Sequence, residues 1–216
     1  MYFGIKWNAD RSIRQSLGGG LMLGKLKYFI RSINSVGLRK TVDNIIFGYL
    51  YLNKFMVLRL NFEKPFWYVE KNQSLKMMEI SLEDLRSIRQ DHPGLPIEFY
   101  CDEIHGFTKP YVAFINNDIA AIHWLAFPGE NSRFLIFGEN DAELNYNTVL
   151  PKFRGKGVAK SLMAYIIQEN NSNELRNIWG VVHIDNIPQW KPMIQLGFDP
   201  VSIITHWAFH RPRIKV

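Results

Sequence analysis

The segment 142–163, AELNYNTVLPKFRGKGVAKSLM, constrains this chain more than any other. Alternating residues up to Val149-Leu150 predict a strand, and Pro151 ends its pairing. Val158, Leu162, Tyr165 and Ile166 then fall on one face of a helix predicted over 157–169. Between the two, Arg154-Gly155-Lys156-Gly157 has to turn tightly, which its glycines allow. The free amides of a helix start, with Arg154 and Lys156 beside them, form an anion site, so a phosphate-bearing ligand is the physical expectation. An ordinary strand-to-helix turn with basic decoration would look the same from these residues alone.

Strand and helix patterns alternate around this segment. A short strand at 77–80 is followed by Ser81 as N-cap, with Glu83 and Asp84 in the first turn of a helix to 90. Residues 111–115 and 119–127 flank Asn116-Asn117-Asp118 as a hairpin. A strand at 178–184, a short helix at 188–196 and a last β stretch at 201–209 complete the order. The central strand–helix–strand crossover predicts an α/β fold, a mixed and partly parallel sheet flanked by helices.

Charge divides the chain. Residues 1–62 hold ten Lys/Arg against two Asp/Glu, and the rest hold sixteen against eighteen. Helical spacing over 21–33 and 38–52 and a β run at 55–60 accompany the basic part. The boundary is expected near residue 72, giving a basic helical extension over 1–72 that ends in a short strand, and a second domain over 73–216. The extension suits an anionic membrane surface, a protein partner or a second copy of the chain. Its bulky apolar residues, among them Phe29, Ile30, Ile45 and Ile46, argue against nucleic acid.

Composition removes other classes. With 47% hydrophobic and 21% charged residues, the 216-residue chain is neither a disordered segment nor a coiled-coil rod. A single cysteine, Cys101, excludes an internal disulfide framework and any multi-cysteine zinc site, and fits a reducing compartment. The most apolar stretch, 45–60, is broken by Asn53-Lys54 and Arg59 and is shorter than the ~20 residues of a bilayer span. Residues 1–11 lack the pattern of a secretory leader. The chain is therefore expected in the cytoplasm, soluble or peripheral at the inner membrane face. Gly19–Leu26 nearly spells a nucleotide loop, but Leu26 stands where a Ser or Thr would meet magnesium. His206 and His210 fall in a strand pattern without partner acids, so no metal is expected.

Together, Glu143, Val149, Pro151 and Arg154-Gly155-Lys156-Gly157-Val158-Ala159 resemble the acyl-CoA-binding signature of the GNAT superfamily of N-acetyltransferases. Val182-His183-Ile184-Asp185-Asn186-Ile187-Pro188, followed by Leu196-Gly197-Phe198, resembles that family's later strand, Asn-containing turn and closing helix. The likeness covers roughly residues 75–210. It implies transfer of an acetyl group from acetyl-CoA to the primary amine of a small acceptor, such as an amino sugar, by direct attack. The backbone amide of Val149 or Leu150 would polarise the carbonyl, the amides of 154–159 would hold the diphosphate, and Asn186 would face the pantetheine arm.

Glu143 is the first candidate for general base, against its reading as a solvated strand-end acid. His183 is the second titratable candidate, against its reading as a hydrogen-bonded strand-end histidine. By alternation Glu143, Asn145 and Asn147 should share one face. Where many members of the family carry a tyrosine acid, three residues before Leu196, this chain has Met193. That departure leaves a second reading open, a catalytically silent CoA-binding module tethered through its basic N-terminus.

Overall fold

The computed structural model describes residues 37–38, 53–63, 66, 68, 74–171, 175–206 and 213–216; the helices expected at 21–33 and 38–52 lie outside them, Leu38 apart. The described chain forms β1 (Asn53–Asn61), β2 (Leu75–Glu79), α1 (Leu82–Asp91) and a 3-10 turn at Ile97–Tyr100 that runs into α2 (Cys101–His105). It continues through β3 (Lys109–Ile115), β4 (Asp118–Ala126), β5 (Leu135–Ile136), β6 (Asp141–Val149) and a 3-10 turn at Pro151–Phe153. Then come α3 (Val158–Asn170), β7 (Asn177–His183), α4 (Ile187–Gln195), β8 (Asp199–His206) and β9 (Ile214–Lys215).

Seven strands make one sheet in the order β2-β3-β4-β6-β7-β1-β8. Every neighbouring pair is antiparallel except β6 and β7, which α3 joins as the expected crossover. Ser81 caps α1 as its sequence pattern indicated, its hydroxyl accepting from the Asp84 amide at 3.0 Å.

Alternation sorts the side chains into layers. On one face, Leu58 and Leu60 of β1, Ala142 and Leu144 of β6 and Ile178 and Val182 of β7 pack under Val158, Leu162, Ile166 and Ile167 of α3. On the other, Ile122 and Trp124 of β4 meet Leu85 of α1 and Phe99 of the 3-10 turn. Farther along that second face, Phe55, Val57, Trp179 and Ile204 pack against Phe134 and Leu135.

Residues 97–105 look irregular in sequence, yet burial of Ile97, Phe99, Tyr100 and Cys101 shapes them into the 3-10 turn and α2. The two-residue β5–β9 pair is too short to leave a sequence period. The last strand starts two residues before its expected position, and the remainder of its expected span lies beyond the described residues.

The β run expected to end the extension lies inside the sheet, with β7 on one side and β8 on the other. Leu58 at its centre is fully buried. Leu58→Ala should therefore cost about 2–5 kcal/mol in urea unfolding, as a core leucine does. A loss below about 0.5 kcal/mol, the level of an ordinary surface change, would mean that β1 merely rests against the sheet.

Candidate functional site

β6 and β7 pair only between Asp141–Leu144 and Asn177–Gly180. Yet β6 runs on to Val149 and β7 to His183, so the two parallel strands part and leave an opening between them. Two local features accompany the parting. In β6, Tyr146 is an extra residue at φ 35°, so that Trp124 faces Asn145 while His123 faces Asn147. In β7, Gly180 leaves room for Met193 of α4, whose Cε occupies the place a Cβ would need.

The bulge also corrects the expected face. Beyond Tyr146 the alternation reverses, and Asn147 reaches away from Glu143 and Asn145 to donate to the Gln189 Oε1 on α4 at 2.8 Å. Asn147 and Gln189 thus link β6 to α4 from the two sides of the opening.

Of the two amides expected to polarise a carbonyl, one is already engaged. The Leu150 N–H donates to the Ala120 carbonyl at 2.8 Å. By the alternation of an antiparallel ladder, the Val149 N–H points to the opposite edge of β6, toward the parted β7. Arg154 Nε donates to the Val149 carbonyl at 3.0 Å and fastens the turn to the strand end.

The glycine turn follows directly. Gly155 and Gly157 have φ of 75° and 78°, left-handed values that glycine adopts without strain, and the space above both is open. The Arg154 amide is used within the turn, donating to the Pro151 carbonyl at 3.3 Å. Gly157 caps α3 without a side chain, so the amides of Val158, Ala159 and Lys160 have no partner within the helix. Buried Phe153 and Val158 root the turn in the core, while Arg154 and Lys156 are exposed. Lys152 is occupied elsewhere, paired with Asp118 at 2.6 Å. These residues fit a diphosphate: open amides at a helix start, two exposed cations and no Cβ above the glycines.

Asn186 stands across the opening at the start of α4. Its amide donates to the His183 carbonyl at 2.8 Å, and its own carbonyl accepts from the amides of Gln189 and Trp190. The half-buried residue is thereby fixed in place.

Glu143 is 2% exposed, which removes the reading of a solvated strand-end acid. Burial pushes its carboxyl up to about 7, against the opposing pull of Ser132, Arg133 and Asn145. Asn145 Nδ2 donates to its Oε2 at 3.2 Å. Six residues of strand, roughly 20 Å, separate Glu143 from Val149.

His183 lies on the same face, edge-on to Phe55 with ring centroids 5.3 Å apart. Its Nδ1 accepts the Asp185 N–H at 3.2 Å, so the neutral ring carries its proton on Nε2. Glu143 pairs with Trp179, four residues before His183, so about 13 Å of strand separates the two candidates.

Met193 is 1% exposed and serves packing. One residue that sequence reasoning missed is Glu98, in the 3-10 turn; burial raises its carboxyl too, to about 7, with Arg154 pulling the other way. No periodicity marks a buried acid in an irregular segment.

The fold and this opening define an α/β protein built to receive a phosphate-bearing ligand between two parting strands. The model of the acetyltransferase (GNAT) family matches residues 75–198, more than half of the chain, and the chain belongs to that family of acyltransferases. A GNAT-family putative acetyltransferase from Novosphingobium aromaticivorans is similar in structure, with a TM-score of 0.52 and 14% identity over 72% of this chain and 63% of its own. A Drosophila protein has a TM-score of 0.51 at 14% identity, over 79% of this chain and 57% of its own. The present chain thus spans somewhat less than two thirds of either. A region of a fungal multi-domain GH3 β-N-acetylglucosaminidase, described as a GCN5-related glucosamine N-acetyltransferase, gives a TM-score of 0.53 at 11% identity, over 88% of this chain and 23% of that one. At these identities the likeness is one of fold. No curated protein matches the chain in sequence.

A carboxyl raised by burial binds its proton more tightly in the folded state than in the unfolded one. Between pH 4.5 and about 7 the unfolded chain therefore holds fewer protons, and stability falls as pH rises through that window. Glu143→Gln should make the decline between pH 5 and 8 shallower by on the order of 3 kcal/mol, read from urea midpoints. An unchanged decline would mean that Glu143 is already ionised in the folded protein.

Proposed function

We propose that this chain transfers the acetyl group of acetyl-CoA to the primary amine of a small acceptor, with an amino sugar as first candidate. The observation that carries the proposal is the Val149 amide directed into the opening between β6 and β7, beside a glycine turn whose helix-start amides lie open. Acetyl-CoA supplies an activated thioester. In this reading the amides of Gly155, Gly157, Val158 and Ala159, aided by Arg154 and Lys156, hold its diphosphate, and Asn186 faces the pantetheine arm. The Val149 N–H donates to the acetyl oxygen as negative charge develops there, the contribution that weighs most in acyl transfer. Leu150 supports Val149 through its bond to Ala120 rather than by donating itself.

An attacking amine has to be unprotonated. Glu143, with a carboxyl raised to about 7, is placed to take up a proton from the acceptor side. Its distance from Val149 requires intervening water or polar side chains such as Asn145. With Met193 buried, the leaving thiolate takes its proton from water or from His183, whose Nε2 bears one in the neutral ring. The basic residues 1–62 hold the enzyme at the cytoplasmic face of an anionic membrane or against a protein partner, which may be a second copy of the chain.

Incubation with acetyl-CoA and glucosamine, a diamine or an aminoglycoside should release free thiol, one per amine acetylated. Gly157→Ala forces a Cβ into a left-handed backbone costing roughly 1–2 kcal/mol. It should weaken CoA binding about 10-fold in calorimetric titration. Glu143→Gln should lower kcat with little change in CoA affinity. Tight CoA binding with no thiol release from any amine would instead establish the silent CoA-binding module.

A further inference from the structure

The 3-10 turn at Ile97–Tyr100 covers the sheet face opposite α3. Ile97, Phe99 and Tyr100 are buried, and Phe99 and Tyr100 pack with Ile119, Ile122 and Trp124 of β4. Tyr146 and Leu150 of β6, on either side of Val149, border the same cluster. The Glu98 carbonyl accepts from Trp124 Nε1 at 2.7 Å, which fixes the turn over the strand pair that leads into the opening. Trp124 in turn faces Asn145, the last residue before the bulge.

Glu98 thus projects from a rigid support, and its Oε2 is buried without a hydrogen-bond partner. A buried carboxyl oxygen left without a donor costs free energy, and such groups in folded proteins are nearly always satisfied. The cation that acts on it is Arg154, the residue whose Nε grips the Val149 carbonyl. Among the described residues no salt bridge joins Glu98 to Arg154, so the carboxyl is left for something else. What a carboxylate lacks is a donor with positive charge, and the substrate that brings one is the acceptor, which arrives as an ammonium ion at neutral pH.

We propose that Glu98 is a catalytic residue that receives the ammonium group of the acceptor and takes its first proton, on the face of the sheet opposite α3. This rests on the acyl-transfer reading above and deepens it. The balance closes. The ammonium gives one proton to the Glu98 carboxylate and becomes a free amine. Its lone pair then forms the C–N bond to the acetyl carbon as the C–S bond breaks, with that electron pair leaving on sulfur. The second proton departs from nitrogen and ends on the thiolate, directly or through water, while the first returns from Glu98 to solvent. Glu98 makes the direct contact that Glu143, roughly 20 Å of strand from Val149, cannot make. A carboxyl near 7 suits the task, since it is ionised in a large fraction of molecules and still basic enough to accept the proton.

The test compares the full-length wild type with Glu98→Gln and Glu98→Asp, using glucosamine, cadaverine and kanamycin as acceptors and thiol release as readout. CoA affinity is measured calorimetrically in parallel. Glu98→Gln should raise the KM for the amine and lower kcat/KM at least 100-fold, with CoA affinity within 2-fold of wild type. It should also remove the acidic limb of the kcat/KM profile near pH 7, and Glu98→Asp should restore part of the activity. Retention of wild-type kcat/KM and of that acidic limb by Glu98→Gln would overturn the assignment while leaving the acyl-transfer reading intact. A fall in kcat/KM accompanied by an equal loss of CoA affinity would overturn it too, by showing a structural role. Wild type that binds CoA and releases no thiol with any of the three amines would overturn the acyl-transfer reading itself and, with it, this one.

Discussion

The parting of β6 from β7 after Leu144 and Gly180 is the constraint on which the rest of the site depends. Two parallel strands that stayed paired would satisfy each other's amides and leave no donor for a ligand. Here pairing stops while both strands continue, so the outer edge of β6 carries main-chain donors at a place enclosed by side chains. The separation is held by packing on both sides: the Tyr146 bulge on β6, and on β7 the Met193 side chain lying where any Cβ on Gly180 would stand. The bond from Asn147 to Gln189 ties the separated pieces together.

The same sheet keeps two chemistries apart. Its α3 side has the open helix start, the left-handed glycines and the exposed Arg154 and Lys156, all suited to negative charge. Its opposite side has Glu98 and Glu143, two carboxyls that burial has made weaker acids. Arg154 belongs to both sides, through its hydrogen bond to Val149 and its attraction to Glu98. Met193, where a proton donor would be expected from the family likeness, shows that this chain has spent that position on core packing. The protons then have to move through the carboxyls, His183 or water.

The order of strands and helices was legible because it is written in local periods. β6 and α3 carry periods of two and 3.6, and Pro151 with the two glycines marks the change between them. The glycine turn was legible for the same reason. Asn147 was assigned to the wrong face because Tyr146 takes a positive φ without the glycine that would announce it. The place of β1 in the sheet was invisible, since its partners lie more than a hundred residues away in β7 and β8. Glu98 was missed because what distinguishes it, a carboxyl oxygen sealed under a 3-10 turn, arises only when α1, β4 and β6 come together.

The central claim is that parted strands and a glycine turn bind acyl-CoA through main-chain N–H groups. Amide chemical shifts of ¹⁵N-labelled protein, recorded as acetyl-CoA is added, test it most directly. The account predicts large, saturable shifts at Val149, Gly155, Gly157, Val158 and Ala159, with the β2–β3 edge of the sheet undisturbed. Saturable binding that leaves these five amides in place and moves others, or no shift anywhere at millimolar acetyl-CoA, would contradict it.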